Sequence, residues 1–61
     1  MLYTIQTLDA EGCEIYVDDI HGLKAAKARA REMLTDPEVQ HCIAKVEILD
    51  AKFVVVWDKF K

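Results

Sequence analysis

LKAAKARAREML, residues 23–34, is the one stretch of this 61-residue chain with a helical period. Turning about 100° per residue from Leu23 places Leu23, Ala26, Ala30, Met33 and Leu34 within one arc of about 100°, the width of a core-facing stripe. Lys24, Ala28, Arg29, Arg31 and Glu32 fall outside it. Alanine, the best helix former, also lies in the stripe and lets the helix backbone sit close to whatever it covers. Asp19 is the expected N-cap, because its carboxylate can accept from free amides at the positive helix end. Gly22 weakens the first turn. Pro37 disfavours helical geometry at Asp36, so the helix is expected to stop near Leu34 or Thr35. A helix of this length is marginal alone and needs a surface to pack on.

The flanking segments supply that surface. Residues 1–8 (MLYTIQTL) alternate, with Tyr3 and Ile5 on one face and Leu2, Thr4, Gln6 and Leu8 on the other. Residues 13–17 (CEIYV) set Cys13, Ile15 and Val17 against Glu14 and Tyr16. Between them, Asp9-Ala10-Glu11-Gly12 fits a hairpin with a type I turn and a bulge at Gly12. After the helix, Asp36-Pro37-Glu38-Val39 suits a second helical turn with Asp36 as its cap. Residues 42–49 (CIAKVEIL) form a third strand, with Ala44, Val46 and Ile48 on one face and Ile43, Lys45, Glu47 and Leu49 on the other. Asp50-Ala51-Lys52 is a tight connection. Residues 53–57 (FVVVW) form a fourth strand, apolar on both faces.

The expected fold is α+β: a two-layer ββαββ arrangement, with one helix on one face of a four-stranded sheet, as a single domain over residues 1–61. A strand apolar on both faces usually sits inside a sheet, so Phe53–Trp57 is expected to be central. Ile5, Ile15, Val17, Val46 and Ile48 are expected to meet the helix. A chain this size buries only about 60% of its unfolded surface, although 52% apolar residues suit a folded domain.

One helix covers one side of such a sheet. Leu2, Tyr16, Ile43 and Leu49, with either Phe53, Val55 and Trp57 or, in the other register, Val54 and Val56, are then expected to form an apolar surface on the other side. Apolar patches beyond about 300–600 Å² mark contact sites, and aromatic residues are enriched there. The leading functional reading is therefore a small, non-enzymatic interaction module that forms a homodimer through that face. The alternative cover is the chain's own tail with Phe60. A second reading is an accessory or inhibitor protein of the mobile-element type, binding another protein through Tyr16, Phe53 and Trp57; size alone motivates it. A third is weak nucleic-acid binding through the basic stripe Lys24, Lys27 and Arg31. Lys27 and Arg31 stand four apart and repel by about 0.2–0.5 kcal/mol unless something acidic, such as Glu47 or Asp18, offsets them. The net charge of −3 argues against general nucleic-acid binding.

No catalytic group or cofactor is expected. Cys13, His21, His41 and Cys42 are zinc-binding types, but their spacing does not fit paired-ligand sites, and Cys13 is expected to point into the core. His41 and Cys42 are adjacent, so at a strand start they point to opposite sides and make a poor base–nucleophile pair. The acidic cluster Asp9, Glu11, Glu14, Asp18 and Asp19 suits the defence of a strand edge. There is no run near 18 apolar residues and no export signal, and two cysteines make no dense disulfide framework. The expected setting is the cytoplasm, with reduced thiols and no membrane partner.

Overall fold

Alternating strands and one amphipathic helix fold as their periods require. The computed structural model describes residues 1–36 and 42–60. Its elements are β1 (Leu2–Leu8), β2 (Glu14–His21), α1 (Leu23–Thr35), β3 (Lys45–Leu49) and β4 (Val55–Phe60). The four strands form one antiparallel sheet in the order β2-β1-β3-β4, with α1 packed on it, an α+β fold as expected. The expected turn at Asp36–Val39 reaches into residues 37–41, outside the described residues.

The helix stripe is as its period implies. Ala26, Ala30, Met33 and Leu34 are buried, and Leu23 packs against the same cluster. Beneath them lie Ile5, Val46 and Ile48, each fully buried. Ile5 and Ile48 are cross-strand partners on the two central strands, so the bulkiest side chains meet the two alanines that let α1 come close. The helix ends at Thr35, as Pro37 requires.

Three local expectations are corrected. Asp19 does not cap the helix: it lies in β2, where its Oδ1 accepts from the Thr4 hydroxyl at 2.9 Å. The N-cap is Gly22 at φ 89°, with no side-chain cap bond; a glycine turns the chain off the sheet there because positive φ costs it nothing. The strand Phe53–Trp57 is not central. β4 begins at Val55, pairs with β3 alone and forms one edge of the sheet. The chain crosses from edge strand β2 over β1 to β3, which leaves the last hairpin strand only the outer place.

The third correction concerns β2. Its register slips by one residue beside Thr7 and Leu8, where Leu8 pairs with Glu14 but Thr7 pairs with Tyr16. One extra residue reverses which side chains face the core. Tyr16, Asp18 and Ile20 therefore lie on the helix side, opposite Thr7, Ile5 and Tyr3, while Val17 lies on the far side and is exposed. Cys13, before the slip, is exposed and does not enter the core. The bulge is held by the buried Thr7, whose Oγ1 accepts from the Tyr16 amide at 3.0 Å. Thr7→Val keeps the shape and leaves that amide unpaired, at a cost of about 1–3 kcal/mol. Thermal denaturation should register it as a clear fall in midpoint, at about 4–8 °C per kcal/mol for a domain of this size; an unchanged midpoint would mean the hydroxyl does not hold the bulge.

Candidate interaction surface

The two hairpin turns share one construction. In the first, Asp9 O accepts from the Gly12 amide at 3.0 Å, and Asp9 Oδ1 accepts from the amides of Glu11 and Cys13, both at 2.9 Å. In the second, Asp50 O accepts from the Phe53 amide at 2.9 Å, and Asp50 Oδ1 accepts from Lys52 at 2.8 Å and Val54 at 3.0 Å. Both turns begin Asp-Ala. Gly12, at φ 84°, occupies the left-handed position as its turn type demands. The matching position in the second turn is Phe53, at φ 62°. A residue with a Cβ pays about 1–2 kcal/mol to stand there. Its ring does not recover this by burial, since Phe53 is 73% exposed.

Phe53 opens the most exposed apolar run of the chain. Val54, Val55 and Val56 follow at 56%, 43% and 44% exposure. Val55 pairs with Leu49 and Trp57 with Ile48, so Val56 is the extra residue of a second bulge. The two sheet edges are thus unlike. β2 carries Glu14, Asp18 and Asp19, charges of the kind that keep an edge from pairing. β4 begins with valines.

The sheet face away from α1 is not the uniform apolar surface expected. Cross-strand pairing puts Leu2, Thr4, Gln6 and Leu8 on it, with Val17, Asp19, Lys45, Glu47, Leu49, Val55, Asp58 and Phe60. Its middle is polar. Gln6 donates to Glu47 Oε1 at 2.8 Å, and Lys45 Nζ reaches Glu47 at 3.1 Å and Asp58 at 3.3 Å. Lys45 also lies 5.0 Å over the Phe60 ring. Hydrogen bonding to the Glu47 and then the Asp58 carboxylate raises the Lys45 pKa above the usual lysine value.

Of the seven residues expected on that face in the first register, Leu2, Leu49 and Val55 are there, at the end beside the second turn, and Phe53 stands exposed in the turn itself. Three are elsewhere. Ile43 is buried in the core beneath α1. Tyr16 is on the helix side because of the β2 bulge. Trp57 pairs with the helix-side Ile48 and packs against the core. Val54 and Val56, the alternative register of the same run, are exposed as well; the strain at Phe53 had a signal in the shared Asp-Ala turn, which has phenylalanine where the first turn has glycine.

On the helix side, the two flanks of α1 differ in charge. Arg29 leans toward β2, with its Nε 3.6 Å from Asp18 and its Nη1 3.3 Å from Glu32. Arg31 leans the other way, its guanidinium 5.9 Å from the Trp57 ring centre. A groove of about 340 Å³ lies on this second flank, lined by Arg31, Leu34, Thr35, Lys59 and Phe60. A smaller one on the first flank is lined by Tyr16, Arg29, Met33 and Asp36.

Among the described residues, Cys13, His21 and Cys42 do not gather as a metal-ligand set. Cys13 and Cys42 are free and exposed, His21 is exposed on β2, and His41 lies outside the described residues. The first turn brings ligand atoms of Asp9, Glu11 and Cys13 within 4.8 Å of one another, but Asp9 Oδ1 already holds two turn amides. No described helix is long and apolar enough to cross a membrane. No family model matches the sequence, and comparison with curated proteins and with solved structures finds no match.

Proposed function

We propose that this chain is a small, non-enzymatic interaction module of the cytoplasm that forms a homodimer through the first half of β4. The observation that carries the reading is the run Phe53–Val56: an apolar strand start on a sheet edge, without charge over that stretch and opened by a strained and exposed phenylalanine. Strained residues persist where the surroundings or a function demand them. An edge strand is also complementary to itself, since two copies can exchange main-chain hydrogen bonds about a two-fold axis. The run's two apolar faces then gain the cover they lack in one copy.

The charges of β4 restrict the register. An axis at Val56 or Trp57 sets Asp58 and Lys59 against the apolar half of the other strand. An axis at Asp58 or Lys59 would set like charge opposite like, which is unfavourable. Leu2, exposed at the same end of the sheet, extends the contact onto the sheet face.

Light scattering on size-exclusion fractions over a concentration series tests this. The wild-type mass should rise from one chain to two. Val54→Lys with Val56→Lys, which puts charge on the edge as natural edge strands do, should remain a monomer with unchanged far-UV circular dichroism. A wild-type monomer at every concentration would refute self-association, and a double variant that dimerises normally would move the contact away from β4.

A further inference from the structure

The geometry points to a second site, independent of self-association: the groove between α1 and β4 binds single-stranded nucleic acid. The argument begins with the direction of the helix flanks. Arg31 sits over Trp57 on β4, and Arg29 reaches Asp18 on β2. At about 100° per residue, Lys24 and Lys27 fall within about 20° and 40° of Arg31, on the β4 side. Lys59, on the helix side of β4 opposite Val46, lines the same groove. Four cations therefore follow one flank.

One carboxylate from each of β2, α1, β3 and β4, among the described residues, is committed to another cation. Glu47 and Asp58 bind Lys45 on the far face of the sheet, and Asp18 and Glu32 bind Arg29 on the opposite flank. Among the described residues, Lys24, Lys27, Arg31 and Lys59 have no ion-pair partner. No ion pair among the described residues offsets the repulsion between Lys27 and Arg31. The net charge of −3 does not contradict a local positive site. It is the sum over separated surfaces, and charges beyond a Debye length of about 8 Å are largely screened at physiological salt.

A row of unpaired cations beside aromatic rings is what strand-tracking proteins use: cations follow the backbone and rings stack on bases. Here the ring is that of Trp57, half-buried beside Arg31; the Phe60 ring lies on the other face of the sheet, under Lys45. The Trp57 indole beside the cation row favours a nucleic acid over an acidic peptide, which would use the cations alone.

The test is fluorescence anisotropy of a labelled deoxythymidine 20-mer across a salt series, with Trp57, the sole tryptophan, as a second reporter. Expected are binding at low salt, a log–log salt slope of about −3 for four cations on a single strand, and a change in Trp57 emission. Lys27→Glu with Arg31→Glu should weaken binding at least tenfold, and Lys52→Glu, in the second turn, much less. Lys24→Glu with Lys59→Glu repeats the test if the first pair unfolds the chain. No binding at low salt would overturn the proposal. So would equal weakening by Lys52→Glu, which would reduce the effect to net charge. Polyglutamate binding as tightly, with the same change in Trp57 emission, would also overturn it and assign the groove to acidic peptides.

Discussion

Ile48→Ala is expected to remove a large share of the folded state's stability, about half of it at mid-range. Ile48 is fully buried, pairs with Ile5 across the two central strands, and lies in the cluster formed with Ala26, Ala30 and Met33. Truncating such a side chain costs about 2–5 kcal/mol, because the transfer energy is lost and a cavity remains. A chain of 61 residues, at roughly 0.05–0.15 kcal/mol per residue, has only about 3–9 kcal/mol in all. The alanines of α1 already approach closely, so the helix has little freedom to settle into the gap. Denaturant unfolding followed by circular dichroism should show the cooperative transition moved to much lower denaturant. Ile48→Val, at about 0.5–1.5 kcal/mol, should keep the transition with a lower midpoint. An Ile48→Ala protein as stable as the parent would mean that the core does not centre on the β1–β3 pair.

Phe53→Gly is expected to do two opposite things. The monomer should become more stable. The left-handed backbone at Phe53 costs about 1–2 kcal/mol with a Cβ present, which exceeds glycine's extra chain entropy of about 0.5–1 kcal/mol. The exposed ring gives up few contacts when removed. At about 4–8 °C per kcal/mol, the midpoint should rise visibly when measured at a dilution where the chain is monomeric, since association itself raises apparent stability. Self-association should weaken about tenfold or more, because burying a phenylalanine stabilises a contact by about 1.5–3 kcal/mol. A variant that gains stability and associates as before would remove Phe53 from the contact. A variant that loses stability would mean the ring holds the turn together.

These two residues mark the range of what could be foreseen. Ile48 was legible: an alternating strand beside an amphipathic helix names its own buried face, and Val46 and Ile48 follow from the period alone. Phe53 was legible only as part of an apolar run. Its strain depends on the second turn repeating the construction of the first, and its exposure depends on where the last strand lies. Tyr16 was misplaced because alternation presumes an unbroken strand, and one extra residue held by Thr7 reverses it. The basic stripe of Lys24, Lys27 and Arg31 was visible in the spacing, yet which acids reach it was not, because Glu47 and Asp18 are brought to Lys45 and Arg29 by folding.

The sequence by itself determined the helix and its buried stripe, its stop before Pro37, the first hairpin turn at Gly12 and the ββαββ order. Each of these is set by neighbours within a few residues, through periodicity, backbone preference and turn hydrogen bonds. Tertiary structure alone decided the strand order β2-β1-β3-β4, the register of β2, and therefore which residues meet water. The run Phe53–Trp57 encodes a need for cover on both faces but not its source. The crossover of α1 brings β3 to the open side of β1 and leaves β4 at the edge, with its valines uncovered.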